Sequence, residues 1–316
     1  MGDHPLAKPW RDFVAEFGET PNLSGTLDDT KQQYGKMMGK LMAMYGFPAP
    51  DETVKTETHS VGEISVRTYV PDGATGNEPL GVYFHGGGFV MGSVEQEDGL
   101  CRLLSRHGRM ILVSVEYRLA PEFPFPTAVK DSVSATKWAL ARYGSDSVTL
   151  MGSSAGANLA FAASLNFIDD GMPEKVKGVV ALAPITIHPD AVPNNTKGQH
   201  TAYEENDKHT VNSKAAMRVW LDAYNAPVSD PYLSVLLHPE IKQLRKVYIA
   251  EYGADTLRDD AQLMKDALED AGVSVMYDRY PGYPHYACLF PAKHLDGHRK
   301  EFFAGVFRGI GWVTQS

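Results

Sequence analysis

The sequence predicts a doubly wound α/β fold with a mostly parallel central sheet, and three observations carry that prediction. Apolar, β-branched runs recur through the chain, and several, such as MILVSVE and KGVVALA, are nearly continuous in apolar character. Strands buried on both faces of a parallel sheet read this way. Helical stretches separate the runs, and repeated β–α alternation implies parallel strands joined by crossover helices. Composition agrees, since 43% hydrophobic residues and 29 glycines in a chain of 316 describe an ordered globular protein with one large core.

Taken in order, the chain opens with Trp10, Phe13, Val14 and Phe17 at i, i+3, i+4 and i+7, the spacing of an amphipathic helix. A second stripe follows at Met37, Met38, Leu41, Met42 and Tyr45. The run over 61–70 alternates with polar residues and is expected as an antiparallel edge strand. Strands are then expected over 79–85, 110–116, 147–152, 177–183, 246–252 and 273–280, and helices over 95–107, 127–143, 155–169 and 257–271. Between 185 and 226 no strand pattern occurs, and Met217, Trp220, Leu221 and Tyr224 mark one helical face. Such stripes are the ordinary mark of helix–core packing. They also suit a helical cap over one end of the sheet, if the chemistry lies there. The expected organisation is therefore a cap segment over 1–50, a core over 51–184, a cap insertion over 185–226 and the rest of the core over 227–316.

The charge balance excludes several functions. Thirty basic against thirty-nine acidic residues leave −9, so no basic field exists to hold nucleic acid or an anionic membrane. No stretch reaches the roughly 18 apolar residues of a membrane span, and MGDHPLAKPWRDF lacks the apolar centre of a secretory signal. Two cysteines, Cys101 and Cys288, cannot build a disulfide framework or a cysteine-rich metal site. The expectation is a cytoplasmic protein, monomer or homodimer, with no nucleic-acid partner, membrane span, metal or cofactor.

Gly152-Ser153-Ser154-Ala155-Gly156 stands between a strand run and a helical run. A G-x-S-x-G at such a junction is a nucleophile elbow, with small neighbours because the turn is tight and strained. Ser154 is the candidate nucleophile, its Oγ pushed out by the turn at the carboxyl end of its strand. A serine hydroxyl needs a base, and His285 follows the strand run VSVMYDRY through Pro281-Gly282-Tyr283-Pro284. His294 and His298 stand one helical turn apart but have no accompanying cysteine or carboxylate cluster, so a solvated helix face is expected there. His188, His200 and His209 are expected at the surface. An imidazole base needs a carboxylate to orient it. Asp255, directly after KVYIAEY and Gly253-Ala254, is the candidate, with a plain helix N-cap as its other reading. Asp259 and Asp260 read as helix-start carboxylates. The chain order Ser…Asp…His and the strand-end positions put all three on one sheet edge. Finally, one strand run ends in His85-Gly86-Gly87-Gly88. Glycines let backbone amides approach a carbonyl oxygen, so the amides of Gly87, Gly88 and Ala155 are candidate oxyanion donors. A structural glycine turn is the bland alternative. His85 is expected to anchor this loop rather than exchange protons, and Gly86 to support it.

With those residues in place, the sequence resembles the hormone-sensitive-lipase-like carboxylesterases of the α/β-hydrolase fold. The resemblance rests on YFHGGGFVMGS (83–93), VEYRLAPEFPFPTAVKD (115–131), GSSAGANLA (152–160), SDPYLS (229–234), GADTLRDDA (253–261) and the histidine of YPHYA (283–287), which run in the family's order. It looks similar to fungal secondary-metabolism esterases as well. The resemblance implies the triad Ser154, Asp255 and His285, the oxyanion donors Gly87, Gly88 and Ala155, and a helical cap. Ser153 replaces the acidic residue usual before the nucleophile, Tyr286 the usual glycine after the histidine, and Val235 a common proline. The implied activity is hydrolysis of uncharged small-molecule esters with short to medium acyl groups. The same triad used as a lactonase, acyltransferase or cyclase is the alternative, followed by a non-catalytic receptor.

Overall fold

A computed structural model describes residues 6–46 and 48–315. The first five residues of MGDHPLAKPWRDF, Phe47 and Ser316 lie outside the described residues. Two helices come first, α1 (Lys8–Phe17) and α2 (Leu27–Tyr45). Thr26 and Asp29 start α2 with a reciprocal capping box. The strands are β1 (Val54–Val61), β2 (Ile64–Pro71), β3 (Leu80–Phe84), β4 (Ile111–Glu116), β5 (Val148–Ser153), β6 (Val176–Leu182), β7 (Lys246–Tyr252) and β8 (Ser274–Tyr280). Helices α3 (Asp98–Gly108), α4 (Thr127–Tyr143), α5 (Ala155–Asp169), α6 (Ala202–Glu205), α7 (Lys214–Tyr224), α8 (Arg258–Asp270) and α9 (Asp296–Thr314) complete the chain.

All eight strands join one sheet in the order β1-β2-β4-β3-β5-β6-β7-β8. The β1–β2 and β2–β4 pairs are antiparallel, and every other pair is parallel. Alternate residues of each central strand feed two apolar clusters. Val82, Val113, Leu150, Val179 and Ile249 face the cluster with α4, α5 and α8. Tyr83, Leu112, Met151, Val180 and Tyr248 face the cluster with α1, α3 and α9. Burial on both faces explains the continuous apolar runs.

Four expectations need correction. The single edge strand over 61–70 is a hairpin, β1 and β2, turning at Gly62 with φ 60°. β1 is the true edge, and its sequence VKTETHSV is exposed over most of its length, so it carries no apolar signal. Helix α9 runs well beyond the helix face expected at His294 and His298, and His298 on it is buried rather than solvated, its ring stacked on Tyr283 at 3.7 Å. His188 is buried, and the His200 side chain is almost fully covered where it pairs with Asp260, so neither is a surface residue. The α2 stripe is also only partly inward, since Leu41 is buried while Met42 is 58% exposed.

Outside the sheet, Trp10 and Phe13 of α1 pack on Phe290 with ring centroids 5.2 and 5.1 Å apart. Met217, Trp220, Leu221 and Tyr224 of α7 are all buried, and Trp220 Nε1 donates to Thr30 Oγ1 of α2 at 3.1 Å.

Candidate active site

The tightest backbone crossing lies where β5 turns into α5. Ser154 holds φ 53° and ψ −117°, a conformation costly for any residue but glycine. Only hydrogen fits at the flanking positions. A Cβ on Gly152 would stand 2.2 Å from the Gly156 carbonyl oxygen, and one on Gly156 would stand 2.0 Å from that of Phe84. The Ser154 amide donates to the Leu182 carbonyl of β6 at 2.8 Å. Ser154 therefore sits at the carboxyl end of β5, and Ala155 opens α5, where a helical amide lacks an intrahelical acceptor.

Two strands away, Asp255 follows the carboxyl end of β7, and His285 follows that of β8. Asp255 Oδ2 lies 2.5 Å from His285 Nδ1, with both side chains nearly inaccessible to water. A carboxylate only accepts, so the imidazole donates from Nδ1 and leaves Nε2 as the free base. The other oxygen, Oδ1, accepts from the Leu257 amide at 3.0 Å and from Asn212 Nδ2 at 2.9 Å. Asp255 thus holds a backbone amide and the histidine with one group, although it is not the helix N-cap, a position Leu257 takes before α8.

The glycine loop follows β3. His85 Nδ1 contacts the Gly86 carbonyl at 2.8 Å, and the ring stacks on Tyr117 at 4.2 Å. Burial pushes the imidazole down to about 4, so His85 stays neutral and holds the loop. Gly87 and Gly88 have φ 118° and 62°. A Cβ on Gly87 would lie 2.1 Å from the Met91 carbonyl oxygen, and one on Gly88 would lie 2.6 Å from the Trp220 ring. Among the described residues the Gly87 and Gly88 amides donate to no protein acceptor, whereas the Gly86 amide donates to Glu97 Oε1 at 2.9 Å.

Glu97 was missed in the sequence, where it reads as one more acid before a helix. It is buried, and it accepts from the Gly86 amide, the Tyr83 hydroxyl and the Ser153 hydroxyl. It therefore ties the glycine loop to the elbow. Desolvation drives its pKa upward, against those donors. Tyr286 adds a third tie. Its ring stacks on His285 at 4.2 Å, and its hydroxyl lies where a Cβ on Gly86 would meet it at 2.2 Å. The carboxyl ends of β3, β5, β7 and β8 thus converge on one site.

Asp259 and Asp260 do more than start a helix. Asp259 Oδ2 accepts from the Thr201 and Ala202 amides, and Asp260 Oδ1 from the Thr186 and Ile187 amides. Together they strap the 185–226 stretch to α8. Two surface cavities flank this stretch, of about 530 Å³ beside Tyr203 and Arg218 and about 440 Å³ beside Arg258 and Arg279. Their arginines are paired with Asp190, Asp259, Glu205 and Glu251, and neither cavity is lined by Ser154, Gly86, Gly87 or Gly88.

A family profile described as the alpha/beta hydrolase fold matches residues 81–289. The versiconal hemiacetal acetate esterase of Aspergillus parasiticus is 56% identical over 311 residues, covering 98% of this chain and 99% of that protein. Among solved structures, vibralactone cyclase superposes with a TM-score of 0.85 at 25% identity, over 99% of this chain and 96% of that one. A hyperthermophilic esterase from the archaeon Pyrobaculum calidifontis gives 0.81 at 27% identity, over 99% and 100%.

Proposed function

The chain belongs to the hormone-sensitive-lipase-like carboxylesterases of the α/β-hydrolase fold, and on that premise we propose that Ser154, Asp255 and His285 are its catalytic triad. The protein is a serine esterase. In this reading His285 Nε2 takes the Ser154 proton as Oγ attacks the ester carbonyl. The amides of Gly87, Gly88 and Ala155 hold the developing oxyanion, each such donor being worth about 10²–10³ in rate. His285 then protonates the leaving alkoxide, and water repeats the sequence on the acyl-enzyme. The buried 2.5 Å bond between Asp255 and His285 carries the assignment, because it leaves Nε2 free to act as the base.

The substrate is an uncharged ester with a short acyl group on a hydroxylated small molecule. A close relative named for a hemiacetal acetate supports the acetyl end of that range. Residues 1–50 and 185–226 act as the cap, and Trp220 against Gly88 supports a short acyl pocket on the oxyanion side. Buried free thiols at Cys101 and Cys288 suit a reducing cytoplasm, where the enzyme works as a monomer or homodimer. Cyclisation of an internal acyl acceptor is the second reading, favoured by the likeness to vibralactone cyclase. It predicts lactone rather than free acid from a hydroxy-ester.

Ser154→Ala lowers hydrolysis of p-nitrophenyl acetate and butyrate by at least about 10³-fold while circular dichroism stays native. Retained turnover overturns the nucleophile assignment.

A further inference from the structure

We propose that Thr210 and Asn212 are positioning residues for the Asp255–His285 pair, so that the 185–226 insertion completes the catalytic machinery as well as covering it. The inference rests on the triad reading above. Its carrier is a closed ring of hydrogen bonds. The His285 amide donates to Thr210 Oγ1 at 3.2 Å. That hydroxyl donates to Asn212 Oδ1 at 2.5 Å. Asn212 Nδ2 donates to Asp255 Oδ1 at 2.9 Å, and Asp255 Oδ2 returns to His285 Nδ1 at 2.5 Å. Every donor meets an acceptor, which also fixes which way the Asn212 amide points.

All four side chains are buried, Thr210 at 0%, Asn212 and Asp255 at 1% and His285 at 3% exposure. A carboxylate in such a place keeps its geometry only while its oxygens are satisfied. Without Asn212, Oδ1 retains only the Leu257 amide, and the carboxyl plane can rotate away from Nδ1. Without the Thr210 hydroxyl, the His285 backbone loses its anchor.

The surroundings strengthen the argument. Asn206 Nδ2 donates to the Asp255 carbonyl at 2.8 Å, and Thr256 Oγ1 donates to the Asn212 carbonyl at 2.8 Å. The insertion and the triad loop are thus stitched at four places. The insertion is held in turn from the N-terminal segment. Asn22 Nδ2 donates to the carbonyls of Asp207 and Thr210 at 2.7 and 3.0 Å, and the Leu23 amide donates to that of Val211 at 3.2 Å. Ser213 Oγ donates back to the Leu23 carbonyl at 2.5 Å and caps α7 by accepting from the Ala216 amide at 3.1 Å. The position of the base therefore depends on residues far from it in sequence.

The test uses the full-length enzyme, with kcat, KM and pH profiles on p-nitrophenyl acetate and the downfield proton spectrum of the imidazole. Thr210→Val keeps shape and removes the hydroxyl, Thr210→Ser keeps the hydroxyl, and Asn212→Ala removes the amide. Titratable groups facing His285 are Asp255, Glu97 and Tyr286, and none is altered. Thr210→Val and Asn212→Ala should lower kcat about 10- to 100-fold, the size of outer-shell losses elsewhere, with KM changed less than about threefold. Asn212→Ala should also loosen the hydrogen bond between Asp255 and His285, because the carboxyl plane is then free to turn away from Nδ1. Its Nδ1–H resonance should broaden. Thr210→Ser should recover most of the kcat lost in Thr210→Val. Unchanged kcat in folded Thr210→Val and Asn212→Ala overturns the inference, as does an unbroadened Nδ1–H resonance in Asn212→Ala or failure of Thr210→Ser to recover kcat. If Ser154→Ala abolishes turnover in the same assays, the triad stands even when this inference falls.

Discussion

At the scale of single residues, the departures from the family pattern explain one another. Ser153 stands where an acid is usual, and Glu97 brings a buried carboxyl to the Ser153 hydroxyl from the other side of the glycine loop. Tyr286 stands where glycine is usual, at φ 58°, a conformation that costs a side chain of this size on the order of 1 kcal/mol or more. Its stacking on His285 offsets part of that cost. Glu97→Leu leaves the buried Gly86 amide and Ser153 hydroxyl without an acceptor, while the Tyr83 hydroxyl keeps only Ser153 Oγ at 3.0 Å. It should lose roughly 2–5 kcal/mol in urea unfolding. Its kcat should fall more than its KM rises, because the glycine loop loses its tie to the elbow. Stability within about 0.5 kcal/mol of wild type would show the carboxyl to be idle. None of these ties is legible in the sequence, where Glu97 and Tyr286 have no periodicity or motif to announce them.

At the scale of elements, helices with an apolar stripe or a strand before them were readable. The limits of α4 and α5 match expectation, because the apolar pattern begins and ends with the helix. β1 escaped because an edge strand facing water carries few apolar residues. The extent of α9 escaped because four glycines, Gly297, Gly305, Gly309 and Gly311, interrupt its apolar pattern. The Trp220 stripe was read as packing, and packing is its role in part. The side chain also spans from Gly88 to Thr30, so α7 links α2 to the glycine loop. Trp220→Ala should open space beside Gly88 and release α2. The ratio of kcat/KM for p-nitrophenyl octanoate over acetate should rise at least about tenfold, equivalent to about 1.4 kcal/mol of transition-state preference. An unchanged ratio would remove Trp220 from the acyl pocket.

For the whole molecule, the parallel sheet is what lets four separated loops meet, because β3, β5, β7 and β8 all deliver their carboxyl ends to one edge. The same burial sets a pH limit on stability. His85 and His298 are both held down to about 4 by desolvation, against an ordinary value of 6.5. Below 6.5 the unfolded chain takes up protons that the folded chain refuses, so stability falls as pH drops from 6.5 towards 4 and is complete above 6.5. Both ring nitrogens of His298 lack partners, and the ring lies among Tyr252, Tyr280, Tyr283 and Phe302. His298→Phe should therefore fold, and between pH 7 and 5 it should lose about 1–2 kcal/mol less stability than wild type in urea titrations. Parallel losses would show that His298 does not contribute.

A short window of sequence carries local chemistry. A strained turn needs small neighbours, an oxyanion loop needs glycine, and buried strands need continuous apolar runs, so the elbow, the glycine loop and the sheet were written in short windows. Which distant polar group satisfies which buried partner has no such local signature. The ring through Thr210 and Asn212, the Glu97 tie and the burial of His298 arise only when folding excludes water and leaves each donor a single acceptor within reach.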